Sequence, residues 1–229
     1  MTQARPMRLT SDLVAKVHRI ETDEGPAPDR VEMTDEDFQQ TAAQLWTDFA
    51  NEPLRVFAYG SLIWKPEFES VEHVRGELSG WQRSFCLKIE GWRGTRAQPG
   101  LMMALDHGGS CEGIVYTLPE GNELSQIDRL LQREMTYKPA SNVPAVLEVV
   151  AGRERVRALA FIASDMGHSY QGSLSLEQVA QTLSRAAGHW GSGAEYLYNT
   201  VTHLEQLGIH DEHLWQLQER VAEIIMSEI

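Results

Sequence analysis

Glu134 is the residue whose position most directly suggests acid–base chemistry. It ends an amphipathic segment, roughly residues 120–135, whose apolar stripe includes Leu130 and Leu131. On a helix Glu134 lies three and four residues from these leucines, so its carboxylate falls on the buried edge. Burial raises the pKa of a carboxylate and suits it to general base catalysis. A frayed helix end with a solvated carboxylate is the alternative, and the neighbouring Arg133 is expected to point elsewhere.

A second candidate is the turn after the apolar strand 54–59. The strand stops at Gly60, which permits a positive φ, and an apolar run with Ser61 and Leu62 follows. Such a loop can present consecutive backbone N–H groups, the Ser61 hydroxyl and the Tyr59 phenol into a cleft. The alternative is a buried strand with a tight turn. A serine hydrolase is poorly supported, because Ser61 is not part of a G-x-S-x-G motif.

Two loops carry further candidates for binding. The loop 91–100 contains Arg93 and Arg96, a local cation cluster in an otherwise acidic protein. It is either a solvated loop or a rim that attracts a substrate carboxylate. Tyr170 places an aromatic ring in the polar loop 168–172, which on its own is as well explained as a capped loop.

Composition limits the classes of partner. The chain has 229 residues, a formal net charge of −13 and a pI near 5.0. This charge argues against nucleic acid or an anionic membrane as the main partner. We expect no membrane span and no apolar leader. The two cysteines, Cys86 and Cys111, are expected to be reduced core thiols of a cytoplasmic protein. The histidines form no metal-binding pattern.

The arrangement of elements predicts an α+β fold. Residues 1–50 look helical and peripheral, so we divide the chain into a helical extension, 1–50, packed on a domain, 51–229, that ends in helices. The middle of the chain is strand-rich, with an inserted helix whose stripe is Leu124, Ile127, Leu130 and Leu131. The predicted strands are 54–59, 71–78, 81–89, 101–105, 112–118, 143–150 and 156–163. Hairpins are predicted at 107–110 and 151–153, which indicates a small mixed or closed barrel-like sheet with flanking helices.

Several short motifs, in order, resemble the ChaC family of glutathione-specific γ-glutamylcyclotransferases. They span about residues 54–197. Each of the six motifs is weak alone, but their occurrence in the order found in the family makes the resemblance specific. The motifs are Tyr59-Gly-Ser-Leu-Ile-Trp64, Arg93-Gly-Thr95 with Pro99-Gly100, Leu105-Asp-His-Gly-Gly-Ser-Cys-Glu-Gly113, Arg133-Glu-Met135 with Tyr137, Tyr170-Gln-Gly172, and Gly191-Ser-Gly-Ala-Glu-Tyr-Leu197. This sequence departs from the family pattern at Ala58, where glycine is common, and over residues 138–144.

The resemblance implies a γ-glutamylcyclotransferase-like barrel that cleaves glutathione to 5-oxoproline and cysteinylglycine without a cofactor or metal. It implies Glu134 as general base and acid, and substrate binding by Tyr59, Gly60, Ser61, Leu62, Arg93 and Tyr170. It implies a small-molecule substrate in the cytoplasm, with no nucleic acid, membrane or obligate protein partner. Alternatives are a cyclotransferase for other γ-glutamyl peptides or amines, and a non-catalytic regulator of cation transport.

Overall fold

A computed structural model describes residues 6–50 and 52–228. Within these ranges the helices are α1 (Ser11–Val17), α2 (Asp35–Asp48), α3 (Ser61–Trp64), α4 (Glu123–Glu134), α5 (Leu176–Leu183), α6 (Gly193–Gln206) and α7 (Glu212–Ser227). The strands are β1 (Val31–Glu32), β2 (Arg55–Ala58), β3 (Glu72–Ile89), β4 (Gly100–Thr117), β5 (Tyr137–Lys138), β6 (Asn142–Ala151), β7 (Glu154–Ala163), β8 (Ala187–Gly188) and β9 (Gly191–Ser192). No helix in these ranges is both long enough and apolar enough to cross a membrane.

The chain forms two compact units, each built from separate stretches of sequence. The barrel unit consists of Pro26–Leu87 and Met103–Gly172. The helical unit consists of the described residues up to Gly25, Lys88–Met102 and the described residues from Ser173. The predicted division into 1–50 and 51–229 stays a prediction, and Asn51 at its boundary lies outside the described residues.

A closed sheet forms the centre of the fold, in the strand order β2-β4-β3-β6-β7. Strand β2 runs antiparallel to β4 and parallel to β7, where Val56 is opposite Leu159. Side chains from these strands, including Phe57 and Phe161, are almost fully buried. The prediction of a small closed sheet with flanking helices is therefore confirmed.

The predicted hairpin at residues 107–110 is wrong, as is the break between the two strands predicted around Gly80. Both stretches lie inside long continuous strands, β3 and β4. The glycines there, with φ of +84° at Gly80 and +130° at Gly108, interrupt the pleat without ending the strand. The Gln82 side chain of β3 donates to the His107 carbonyl of β4 at 3.4 Å, so pairing of β3 with β4 replaces the local hairpin.

The second predicted hairpin is confirmed. Strands β6 and β7 pair in continuous antiparallel register from Asn142↔Ala163 to Ala151↔Glu154. Gly152 in the connection has a φ of +62°, which residues with a side chain adopt only at a cost. This hairpin places Asn142 at the first position of β6, close to the end of α4.

The helix α4 confirms the predicted periodicity but not its full extent. Ile127, Leu130 and Leu131 are buried, whereas Leu124 is 49% exposed. Leu124 lies on the same face as Leu131 but in the first turn of the helix. Periodicity identifies a face, and the neighbours that pack on it decide where its burial stops.

The helical unit contains α1, α5, α6 and α7, which pack on one another. The N-cap of α1 is Thr10, and α1 ends at Val17. Ile20, which lies beyond the end of α1, is 96% exposed. Ser175 begins α5 through a capping box with Gln178. That the terminal helices pack against the sheet stays a prediction.

The connection between α5 and α6 is rich in glycine. It contains the short antiparallel pair β8–β9, with Ala187 opposite Ser192. Gly193 is already the first residue of α6, and the Ser192 side chain caps that helix by accepting from the Glu195 N–H at 3.1 Å.

Leu131→Ala should lower the free energy of unfolding by about 2–5 kcal/mol, because it removes a fully buried side chain and leaves a cavity. Leu124→Ala is the matched control on the same helix face and should change it by about 0.5 kcal/mol or less. Urea denaturation followed by circular dichroism measures both. Equal losses in the two variants would contradict the observed extent of the buried stripe.

Candidate active site

Glu134 is the last residue of α4, in the barrel unit. The helix ends there because Met135 turns to an extended conformation, with φ −126° and ψ 135°, while its N–H still donates to the Leu131 carbonyl. The Glu134 side chain is 13% exposed. The predicted placement of this carboxylate on the buried edge of the helix is what the structure shows.

Two side chains hold the Glu134 carboxylate. Arg133 Nε donates to Glu134 Oε1 at 3.0 Å. Asn142 Nδ2 donates to Glu134 Oε2 and to its backbone carbonyl, both at 3.3 Å. The expectation that Arg133 points elsewhere is wrong. Successive side chains diverge around a helix axis, but the arginine side chain is long enough to return to its neighbour at the helix end.

Burial raises the pKa of Glu134 above its ordinary value. The charge of Arg133, its hydrogen bond and that of Asn142 lower the pKa, and the charge of Glu67 raises it further, but burial is the largest effect. A carboxylate of raised pKa is a stronger base than an exposed one and can also return a proton. This environment is the electrostatic signature of a candidate catalytic group.

The turn after β2 is more regular than predicted. Gly60 has a φ of −140° and does not use the positive φ open to glycine. Residues 61–64 form the single helical turn α3 rather than a loop, closed by a bond from the Lys65 N–H to the Ser61 carbonyl at 2.8 Å. Leu62 is buried, and the Gly60–Leu62 backbone begins this turn.

Tyr59 is held by the barrel. Its side chain is 7% exposed, and its hydroxyl donates to the Phe161 carbonyl at 2.7 Å. The Tyr59 carbonyl accepts from Arg83 Nε at 2.7 Å. The Tyr59 hydroxyl is thus bonded within the barrel, and its predicted contact with a substrate stays a prediction.

Arg133 connects the two predicted parts of the site. Its Nη2 donates to Ser61 Oγ at 3.4 Å while its Nε donates to Glu134. The turn and the carboxylate, which are 73 positions apart in the chain (134 − 61), are thus joined by one guanidinium. Arg133 also lines a groove of about 880 Å³ between α4 and residues 66–69, with Glu67, Phe68 and Arg129 among its other lining residues.

Tyr170 belongs to the barrel unit and contacts a carboxylate. Its hydroxyl lies 3.1 and 3.2 Å from the two oxygens of Asp106, which is 8% exposed. Tyr170 also forms an isolated bridge with Leu87 on β3. Burial, followed by the charge of Asp106, raises the pKa of Tyr170.

Arg93 belongs to the helical unit and is paired there. Its side chain is 14% exposed and donates to Glu195 Oε2 at 2.6 Å and to the Ser192 carbonyl at 2.9 Å. Arg96, nearby in sequence, donates to the backbone carbonyls of Glu24 and Gly25. These contacts occupy both predicted cations of the loop 91–100.

The sequence matches a family model described as ChaC-like protein over residues 54–224. The chain belongs to this ChaC-like family. An Escherichia coli relative named glutathione-specific γ-glutamylcyclotransferase is 35% identical over 173 residues, covering 76% of this chain and 74% of the relative. An Arabidopsis thaliana relative named γ-glutamylcyclotransferase 2-3 is 32% identical over 179 residues, covering 74% and 89%.

Solved structures agree with the ChaC-like assignment at the level of the fold. A crystal structure of a yeast γ-glutamyl cyclotransferase specific to glutathione aligns with a TM-score of 0.68. The identity is 19%, and the alignment covers 76% of this chain and all of the yeast chain. The barrel with flanking helices is therefore a γ-glutamylcyclotransferase fold.

Three residues of this ChaC-like site were not singled out from the sequence. Asp106 lies inside the motif Leu105–Gly113, which is part of the family resemblance. The motif did not indicate that Asp106 contacts Tyr170. Asn142 and Glu67 carried no local signal, because their importance comes from contacts with α4 that cross 8 and 66 positions of the chain (142 − 134 and 133 − 67). Only the folded chain identifies them.

The two cysteines are free and buried, as predicted. Burial, followed by the charge of Asp106, raises the pKa of Cys86 to about 12, so its thiol stays protonated near neutral pH. Among the described residues, no group of three or more His, Cys, Asp or Glu side chains is placed to hold a metal ion.

Tyr59→Phe should lower the free energy of unfolding by about 1–2 kcal/mol, because it leaves the buried Phe161 carbonyl without its tyrosine donor. Tyr198→Phe, on the half-buried face of α6, is the matched control and should change it by about 0.5 kcal/mol or less. Thermal and urea unfolding measure both. A Tyr59→Phe variant as stable as the control would show that this hydroxyl contributes nothing to the barrel.

Proposed function

We propose that this protein is a γ-glutamylcyclotransferase that cleaves glutathione to 5-oxoproline and cysteinylglycine. The observation that carries the proposal is the nearly buried Glu134 carboxylate of raised pKa, joined through Arg133 to Ser61. The family and the names of its relatives supply the reaction class. A base beside a turn that can bind a γ-glutamyl group is what this reaction requires.

Glu134 acts first as a base in this mechanism. The substrate's own α-amine must attack its γ-amide carbon, and near neutral pH that amine is mostly protonated. Glu134 removes one proton, and the amine nitrogen then forms a bond to the γ-carbon. A positioned general base contributes about 10²–10⁴-fold to such a step.

Glu134 acts next as an acid. The tetrahedral intermediate collapses when the bond between the γ-carbon and the cysteinyl nitrogen breaks, and Glu134 gives its proton to that nitrogen. The carboxylate then takes the second proton from the ring nitrogen and passes it to the released amine, which leaves 5-oxoproline as a neutral amide. The atoms and electrons balance without an oxidant, a cofactor or a protein nucleophile. One carboxylate therefore serves both steps, and Ser61 is assigned to binding.

The turn from Tyr59 to Leu62 is proposed to hold the γ-glutamyl group in a folded, near-ring conformer. Well-oriented intramolecular attack lowers a barrier by roughly 7–11 kcal/mol. The N–H groups of Gly60, Ser61 and Leu62 are the candidates for stabilising the developing oxyanion, where loss of one donor costs about 3–4 kcal/mol. Tyr59 takes part through its backbone, because its hydroxyl is bonded to Phe161.

Side chains that already bond to other groups of the protein are proposed to bind the outer parts of the substrate. Tyr170, oriented by Asp106, is proposed to contact the substrate as a hydroxyl of raised pKa that stays protonated. Arg93 is proposed to bind the glycine carboxylate, with Arg96 as the alternative in the same loop. Arg93 would have to exchange or share its bond to Glu195 in order to do so.

We also propose that the protein works in the cytoplasm on a small-molecule substrate, without an obligate protein partner. Two free thiols, one of which is held protonated by burial, suit a reducing compartment. Parallel assays with glutathione, γ-Glu-Ala and γ-Glu-ε-Lys separate glutathione cleavage from activity on other γ-glutamyl compounds. Release of 5-oxoproline from the last two at a higher kcat/KM than from glutathione would overturn the substrate assignment.

Glu134→Gln should abolish 5-oxoproline release while glutathione binding persists, because the amide cannot accept the α-amine proton. Glu123→Gln makes the same change at the other end of α4 and should retain activity. Chromatographic detection of 5-oxoproline measures turnover, and calorimetry measures binding. Turnover retained in Glu134→Gln would remove this residue from the mechanism.

Arg93→Ala should raise the KM for glutathione by about ten- to a hundredfold if Arg93 binds the substrate carboxylate, the range for a hydrogen bond between charged groups. Glu195→Gln separates this role from a structural one, because it removes the charge of the carboxylate that pairs with Arg93 and should leave the KM unchanged or lower it. Arg96→Ala tests the alternative cation. An unchanged KM in the Arg93→Ala, Arg96→Ala double variant would exclude both arginines.

A further inference from the structure

Arg133 makes three contacts around the candidate site with one guanidinium, and its side chain is only 15% exposed. Nε reaches Glu134 Oε1 at 3.0 Å, Nη2 reaches Ser61 Oγ at 3.4 Å, and Nη1 lies 3.1 Å from Glu67 Oε2. The Nη1–Glu67 contact is an ion pair without hydrogen-bond geometry, and Nη1 is itself buried. Only a planar fork of donors can make contacts in these three directions at once.

Glu67 has an unusual backbone conformation. Its φ is +55°, a left-handed conformation that non-glycine residues seldom adopt. The residue lies three positions after the end of α3, in the segment 66–69 that faces α4 across the groove. Strained residues persist where the surrounding structure requires them, and they concentrate at functional sites. Here the strained residue faces the guanidinium that holds the candidate base.

We propose that Arg133 is a positioning residue for the reaction, which holds the Glu134 carboxylate beside Ser61 and is itself restrained by Glu67. The proposal rests on the proposed function, since it assigns a role within the same site. Arg133 does not need to touch the substrate in this role. It acts through Glu134, by fixing where one carboxylate oxygen points and by keeping a permanent positive charge next to it.

The charge matters because two opposing effects act on Glu134. Burial favours the protonated carboxylic acid, which is not a base. The positive charge of the Arg133 guanidinium favours the ionised carboxylate and lowers the pKa of Glu134. The groups that act on Glu134 are Arg133 from α4, Glu67 from the segment after α3 and the neutral Asn142 from β6. Arg133 is the cation of this set.

The two members of the pair predict opposite shifts in the pH profile. Loss of the Arg133 charge raises the pKa of Glu134, so the acidic limb of kcat/KM moves to higher pH. Loss of the Glu67 charge lowers the pKa of Glu134, so the limb moves to lower pH. Both changes loosen the carboxylate and therefore lower kcat. A role in stability alone would produce no such pair of opposite shifts.

The experiment measures glutathione turnover against pH for the wild type, Arg133→Gln, Arg133→Lys and Glu67→Gln, with Glu69→Gln as the control. Glu69 is an exposed acid two positions along the same segment. We expect Arg133→Gln to lower kcat by up to about 10²-fold, the cost of misplacing a catalytic group. Arg133→Lys should keep the acidic limb of the pH profile closer to that of the wild type, because the positive charge is retained. It should still lower kcat, because a lysine ammonium lacks the planar fork of donors. KM should change little in these variants.

A wild-type kcat and acidic limb in Arg133→Gln would overturn the proposal, as would an equal effect of Glu69→Gln. If circular dichroism shows that Arg133→Gln does not fold, the Arg133→Lys and Glu67→Gln variants test the proposal instead. A wild-type kcat in both of them would overturn the proposal. If the wild type releases no 5-oxoproline, the proposed function fails separately. The carboxyl pKa of Glu134, followed by carbon-13 NMR in wild type and the Arg133 variants, then decides whether Arg133 controls this group.

Discussion

The burial of one carboxylate, that of Glu134, is the constraint on which the rest of the site depends. A buried carboxylate is costly unless it is paired and hydrogen-bonded. Arg133 and Asn142 provide those bonds from the end of α4 and from the start of β6. Burial still dominates and keeps the pKa high. The local arrangement therefore keeps a carboxylate of raised pKa in a fixed position, at a cost in stability.

The barrel makes this arrangement rigid. Strand β2 leads directly into α3, so any movement of the strand would move Ser61. Tyr59, at the strand end, is fixed on both sides, by a bond from its hydroxyl to Phe161 and by a bond from Arg83 to its carbonyl. Arg83 also donates to the Glu112 carbonyl on β4. A catalytic geometry built on strands of a closed sheet is more exact than one built on a free loop.

Two arginines have different partners in the structure from those that the sequence indicates. Arg93 stands out in the sequence because it is a cation in a glycine-rich loop of an acidic chain, yet it is paired with Glu195 at the start of α6. The sequence predicts that Arg133 points away from Glu134, because adjacent helical residues diverge, yet Arg133 contacts Glu134, Ser61 and Glu67. Charge along a chain shows where a cation is available, whereas its partners depend on which distant segments fold against it.

The sequence by itself determined the α+β class, the apolar face of α4, the hairpin β6–β7 and the position of Glu134 on the buried edge, because these follow from periodicity and turn chemistry within about 20 residues. The motif order determined the family. Only the tertiary structure decided that β3 and β4 are continuous, that the hydroxyl of Tyr59 is bonded within the barrel, and that Arg133 and Asn142 hold the carboxylate. The strand pairing, the Tyr59 bond and the Asn142 bond join separate segments of the chain, and the long-range strand pairing of a closed sheet is not encoded in local patterns. The bond from Arg133 to its neighbour Glu134 depends on the direction that the guanidinium takes at the end of α4, where it also contacts Ser61 and Glu67.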